Sequence, residues 1–336
     1  MQNLLDPAIL FFVFGVLAGA LKSNLEIPPA IAKFLSLYLL MALGLKGGFA
    51  LAQSGLNATV LVSLAAAVLM AFIVPAIGYQ LLKTRVARFD AAAIAASYGS
   101  VSAVTFVTAM QYLDANNMSP GGHMAIALVV MESPAIIMAV LLANALRHGT
   151  AGVVATTTSG GVAVASLGAP DTAPTLCRIL HESFTDGAHL LLLGAMAVGY
   201  LSGEAGKAVM APFSSDLFKG MLAFFLLDMG LRVARNFSTA RGRSPVLLAY
   251  ASIGPLAHAS IALALAMLLR LPAADAALLM VLSASASYIV VPAVLRYAIP
   301  EANPSLYFGL SLGITFPLNI LLGIPLYTFM ARHFLG

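Results

Sequence analysis

Residues 58–82, ATVLVSLAAAVLMAFIVPAIGYQLL, contain no charged side chain. As a helix, rising about 1.5 Å per residue, such a run is long enough to cross the roughly 30 Å hydrocarbon core of a bilayer. Nine further apolar segments lie at about 8–21, 30–51, 90–113, 124–146, 187–203, 213–232, 245–269, 273–298 and 305–331. Only 9% of the 336 residues are charged, against about 25% in a soluble domain. A soluble enzyme and a nucleic-acid binder are excluded. The uninterrupted apolar runs also exclude an outer-membrane barrel, whose strands would alternate polar and apolar residues. The predicted fold class is an all-α polytopic membrane protein of about ten transmembrane helices.

Charge orients the chain. The net charge of +4 reflects basic loops. Lys83, Arg85 and Arg88 follow the third segment, and Arg232, Arg235, Arg241 and Arg243 follow the seventh. If the segments alternate in direction, Lys22, Arg147, Arg178 and Arg296 fall on that same side, and Lys207, Arg270 and Arg332 on the other. Short basic loops stay cytoplasmic. The expectation is an inner (plasma) membrane protein with both termini outside and the segment between halves cytoplasmic. The N-terminus has no Lys or Arg before its first apolar run, unlike a cleaved signal peptide, so that run reads as a first span. A lone Cys177 excludes an internal disulfide and a thiolate metal cluster.

The chain divides into a first five-helix repeat (1–146), a flexible Gly/Ser/Thr/Ala-rich linker (147–186) and a second five-helix repeat (187–336). DAAAIAASYGSVSAVTFVTAMQYL (90–113) aligns without gaps on DAALLMVLSASASYIVVPAVLRYA (275–298). Asp90, Ser100, Ser102 and Tyr112 fall on Asp275, Ser285, Ser287 and Tyr297 at one constant offset. Five spans per half puts the halves in opposite orientations, the inverted repeat of many secondary transporters.

The fourth and ninth segments hold Ser, Gly, Thr or Pro in their middles, at YGSVSAVT (98–105) and SASASYIVVP (283–292). Such residues free backbone groups that hydrocarbon cannot satisfy. Matched interruptions in two halves point to a midplane site. Half-helix N-termini there suit an anion, and hydroxyl and carbonyl oxygens suit a hard cation such as sodium. The competing reading is close helix packing through small residues. Glu132, mid-span before Pro134, is either a coupling group or a partner for backbone freed by the proline. His258 is either a helix-contact histidine or a proton relay. Asp90 and Asp275 read as N-caps, Lys46 and Asp228 as snorkelling side chains, and Asn319 as repairing the backbone beside Pro317. No zinc-protease, Walker or nucleophile-elbow motif occurs, so no enzyme chemistry is expected.

The stretches IPPAIAKFLSLYLLMALGLKGGFAL, YGSVSAVTFVTAM, MESPAIIMAVLLAN, GPLAHA and IPEANPSLYFG resemble the sodium-dependent bicarbonate transporter family known from cyanobacteria. The resemblance runs in family order through nearly the whole chain apart from the linker. It implies broken helices four and nine, core and gate domains, a homotrimer and a bicarbonate and sodium site where the two broken helices meet. Control by a PII-like protein is also known in the family. By position, the first break falls on Gly99, Ser100, Val101, Ser102 and Thr105, and the second on Ser283, Ser285 and Ser287. Sodium would be held by Ser102, Thr105, Ser285 and Ser287, and Tyr288 would offer its phenol to the anion. Where cyanobacterial members carry Asp, Ile, Ser, Gly, this chain has Tyr288, Ile289, Val290 and Val291, so it departs from the family at Tyr288, Val290 and Val291. Val104 likewise replaces a serine, and Glu132 an Asp.

The function expected is a secondary active transporter for a small anion, most simply sodium-coupled bicarbonate uptake by alternating access. The alternatives are a proton-coupled or sodium-independent transporter of another small anion or carboxylate, and a channel or receptor-like protein. No nucleic acid and no organic cofactor are expected.

Overall fold

The computed structural model describes residues 6–55, 57–151, 187–240, 244–288 and 290–336, and among them every regular element is a helix. Residues 152–186, which include most of the linker with Cys177 and Arg178, lie outside the described residues, as do Arg241, Arg243 and Ile289. The helices are α1 (Pro7–Ala20), α2 (Pro29–Ser54), α3 (Ala58–Leu82), α4a (Arg88–Gly99), α4b (Ala103–Ala115), α5a (Met124–Val130) and α5b (Glu132–Ala151). They continue as α6 (Gly187–Ala211), α7 (Leu217–Ala240), α8 (Pro245–Leu268), α9a (Ala273–Ala284), α9b (Val290–Ala298) and α10 (Pro304–Leu335). Six of these passes, α2, α3, α4, α5, α8 and α10, are long and apolar enough to cross a membrane. The chain is a multi-pass membrane protein.

Local sequence sets several of the starts. Asp6 accepts the Ala8 N–H at 2.8 Å ahead of Pro7, Asn57 accepts Val60 N–H at 3.0 Å, and Asn303 accepts Ser305 N–H at 3.0 Å ahead of Pro304. Each satisfies a first-turn amide that has no partner in the helix, and proline at the first helical position forgoes a donor that would be idle there. Within α6, Gly203 adopts φ 53° and ψ −143°. That backbone favours glycine, and it kinks the helix where the apolar run ends.

Two parallel helix pairs touch backbone to backbone. A Cβ on Gly15 or Gly230 would stand 2.4 Å from the Leu227 carbonyl oxygen and 2.3 Å from that of Phe12, which presses α1 onto α7. On α2 and α6 a Cβ on Gly44, Gly48 or Gly199 would come within 2.4, 2.1 and 2.6 Å of the carbonyl oxygens of Leu192, Met196 and Leu45. Small-xxx-small spacing permits this approach where lipid supplies no hydrophobic drive between helices. Gly15/Gly19 and Gly44/Gly48 carry that spacing, a signal that reading the sequence for interruptions passes over. α1, α2, α6 and α7 thus form one packed group, against which α3, α4, α5, α8, α9 and α10 are assembled.

Asp90 and Asp275 are not N-caps: Ala87 and Pro272 occupy those positions. Both aspartates lie in the first turn, where the helix dipole favours a carboxylate, and both reach to the other half of the chain. Asp90 accepts the Asn303 N–H at 2.8 Å, and Asp275 accepts the Gly121 N–H at 2.7 Å. Near the Asp90 tether, Arg147 makes two 2.9 Å bonds to the Glu301 carboxylate and one of 2.9 Å to the Ala298 carbonyl. At the opposite end, His123 Nε2 stands 3.5 Å from Asp275. The IPEANPS segment is therefore a clasp: Glu301 and Asn303 lock the turn before α10 onto α5b and α4a.

Lys46 and Asp228 find partners within the protein. Lys46 Nζ lies 3.5 Å from Asp114 and 4.6 Å from the centre of the Phe218 ring, and buried Asp228 accepts from Arg232 at 2.7 Å.

Candidate functional site

Both serine-rich segments break into the same pattern. Ser100 ends α4a and Ser285 ends α9a, each in extended backbone, at φ −95°, ψ 176° and φ −82°, ψ 169°. Two residues later Ser102 accepts the Thr105 N–H at 3.2 Å, and Ser287 accepts the Val291 N–H at 3.3 Å. The Ser-Xaa-Ser of each half thus closes one half-helix and opens the next, because a hydroxyl supplies the acceptor that free first-turn amides need.

The breaks cross and bind each other. The Ser102 N–H donates to Ser285 Oγ at 3.0 Å, and the Ser287 N–H donates to the Ser97 carbonyl at 2.8 Å. Ser285 Oγ gives its proton to the Leu282 carbonyl at 2.8 Å. Asn319 Nδ2 donates to the Ala284 carbonyl at 2.8 Å, and Asn319 Oδ1 accepts from the Tyr327 hydroxyl at 3.1 Å. Asn319 therefore repairs the end of α9a rather than its own helix. It is turned there by the wide turns of α10 around Pro317, at Ser311–Thr315 and Asn319–Gly323, which such a proline provokes by removing a donor.

A cavity of about 90 Å³ opens beside this crossing, several times the roughly 10–15 Å³ that one water needs. Its polar wall is Ser102, Ser287, Tyr288 and Glu132, with Ser36 from α2. Leu40, Leu128 and Leu192 supply the apolar wall. Ser36 and Ala188 lie near the starts of α2 and α6, so the cavity extends toward the end that carries the Arg147–Glu301 clasp. Ser102 and Ser287 spend acceptor capacity on their helices and keep a proton that can turn to a ligand. Ser102 Oγ and the Tyr288 hydroxyl are 3.5 Å apart. Ala103 and Val104, at the N-terminus of α4b, also line the space, and first-turn amides there carry partial positive charge.

Of the other sequence-derived residues, Val101 lines the cavity. Gly99 does not; a Cβ there would stand 2.6 Å from the Pro75 ring, so its small size serves the packing of α4a on α3. Thr105 is buried in the first turn of α4b and does not line the cavity. The hydroxyls of Ser100 and Ser283 are buried with no hydrogen-bond partner among the described residues, a condition that a bound water or ion relieves. His258 is buried on α8, its ring centre 6.0 Å from that of Tyr250, and does not line the cavity. Ser36, Leu40, Leu128 and Leu192 carried no sequence signal, because a wall residue on an unbroken apolar helix reads like any lipid-facing one.

The family model described as the Na+-dependent bicarbonate transporter superfamily matches residues 7–332. The chain belongs to this superfamily. No curated protein matches it in a sequence search. As a member of the Na+-dependent bicarbonate transporter superfamily, it is a transport protein and not an enzyme. Where the resemblance leads one to expect a carboxylate, this member has Tyr288, whose ring packs edge-on against Phe316 with centres 5.5 Å apart. The carboxylate on its cavity wall is that of Glu132, exposed to only 4%.

Proposed function

We propose that this chain is a secondary active transporter that carries bicarbonate with sodium through the cavity at the crossed breaks, by alternating access. One observation carries the reading: Ser102 and Ser287, equivalent in the two halves, each open a half-helix and both line the same cavity. Hydroxyl protons and first-turn amides are donors for a small oxyanion. The oxygens of Ser102 and Ser287, with the Glu132 carboxylate, suit a hard monovalent cation, and Thr105, which does not line the cavity, is not among them. Ser285 serves this site as its brace, since its proton and an acceptor position are already engaged.

An inverted repeat is supported by the exchanged tethers Asp90–Asn303 and Asp275–Gly121. The parallel pairs α1/α7 and α2/α6 support it as well, because exchange of the halves maps one pair onto the other. On this reading α1, α2, α6 and α7 form the gate and the other six passes the core. Both termini face outward and the linker lies in the cytoplasm. A homotrimer and a PII-like regulator rest on family resemblance.

The test is labelled-bicarbonate uptake into proteoliposomes, with and without an inward sodium gradient at fixed membrane potential. Sodium-dependent accumulation that falls in S102A and S287A supports the function. Its absence in folded protein overturns the substrate assignment. Glu132 favours a second reading, in which the coupling ion is a proton. Uptake that ignores sodium and follows an imposed pH gradient, lost in E132Q, selects it.

A further inference from the structure

Along α4b, Val104 lines the cavity at the breaks, and Thr108 lines a second, distinct cavity of about 300 Å³. Four residues of helix separate them, about 6 Å of axial rise. The second cavity lies toward the end of the molecule away from the Arg147–Glu301 clasp. Thr108, Gln111, Asn116 and Asp6 form its polar wall, and Ile9 of α1 and Ile320 of α10 are among its apolar residues.

One turn deeper, each of these helices carries a fully buried residue: Thr105 on α4b, Phe12 on α1 and Phe316 on α10. The Phe12 and Phe316 rings meet edge to face, with centres 5.7 Å apart and planes at 82°. Phe316 in turn meets Tyr288 at 5.5 Å and 67°, and Tyr288 is a wall of the cavity at the breaks. Three rings in series therefore fill the space between the two cavities.

We propose that the second cavity is the other mouth of the transport pathway, and that the Phe12–Phe316–Tyr288 stack is the barrier that closes it. The inference rests on the transport reading above and assigns the pathway its closed half. Phe12 rides on α1, which is pressed onto α7 through Gly15 and Gly230, while Phe316 and Tyr288 belong to the six-helix group. Relative movement of the two groups parts Phe12 from Phe316 and leaves Phe316 on Tyr288. Thr108 and Gln111 then offer hydroxyl and amide donors to a small oxyanion on its way to Ser102. Edge-to-face rings leave no room for a hydrated ion, so the stack bars passage until the groups move.

Single cysteines at Gln111, Ser36 and Ser102, in a C177S background, test the assignment in reconstituted vesicles with a membrane-impermeant thiol reagent added to one face at a time. Q111C labels faster from one face, and S36C and S102C label faster from the other. Adding F12A lets S102C label from the Gln111 face as well, at least tenfold faster than in the parent. F12V, which removes less volume, gives a smaller increase in the same direction and serves if F12A does not fold. Labelling of S102C as fast from the Gln111 face as from the other with Phe12 intact overturns the barrier, as does unchanged labelling in folded F12A or F12V. Labelling reads access rather than uptake. A protein that fails to take up bicarbonate but keeps the two-sided pattern sinks the substrate and leaves the barrier standing.

Discussion

The Ser102 amide donates to the Ser285 hydroxyl at 3.0 Å across the crossing of the two broken helices. The residue equivalent to Ser285 in the first half, Ser100, makes no such bond, and the Ser287 amide goes instead to the Ser97 carbonyl. The serines of the two breaks thus divide their work: Ser285 joins the halves, while Ser102 and Ser287 face the cavity.

That division predicts different losses on substitution. S285A leaves the buried Ser102 N–H without its acceptor and lowers stability by about 1–3 kcal/mol. S287A removes a first-turn acceptor worth about 1 kcal/mol and a cavity donor, so uptake falls further than stability does. Thermal unfolding in detergent, read beside proteoliposome uptake, checks the contrast.

The glycine contacts predict where side chains are barred. G230A puts a Cβ 2.3 Å from the Phe12 carbonyl oxygen, and G48A puts one 2.1 Å from that of Met196. Neither carbonyl can yield without moving its helix, and each variant loses up to about 3 kcal/mol, as overpacked sites do. At Gly194 a Cβ meets nothing within 4 Å, so G194A leaves the melting temperature unchanged or slightly raised. Melting curves of the three variants make the comparison.

At the turn before α5a, burial holds the His123 imidazole below its ordinary value, against the pull of Asp275. A depressed histidine is neutral at neutral pH, and it contributes stability above its unfolded value that is lost as the pH falls. Acidification from about pH 7 to about pH 5 therefore destabilises the native protein more than H123Q. Chemical unfolding of both proteins at the two pH values reads the difference.

At the clasp, the Arg147 guanidinium holds the Glu301 carboxylate below the usual range, chiefly through its hydrogen bonds. The stabilisation is present above the ordinary carboxylate value and is lost as the pH falls through the depressed one. Both side chains are more than a third exposed, and solvent screening limits the pair to about 0.5–1 kcal/mol. A double-mutant cycle with R147A and E301A measures that coupling, which shrinks in high salt.

Much of this molecule is written locally. Length and apolarity mark the passes, because a bilayer demands a helix of fixed span with its backbone bonds satisfied within it. The breaks at Ser100–Ser102 and Ser285–Ser287 were legible for the same reason, since hydroxyl residues in the middle of an apolar run announce backbone that must find partners. What the bonds of those residues join was not legible. Asp90 and Asp275 look like caps because capping is a short-range rule, yet their carboxylates hold turns more than 150 residues away. Asn319 sits beside a proline and serves another helix, 35 residues back. Sequence periodicity encodes what each segment must bury or expose. Only the tertiary packing decides which free carbonyl, amide or ring meets which, because those partners are set by distances in space that no local pattern records.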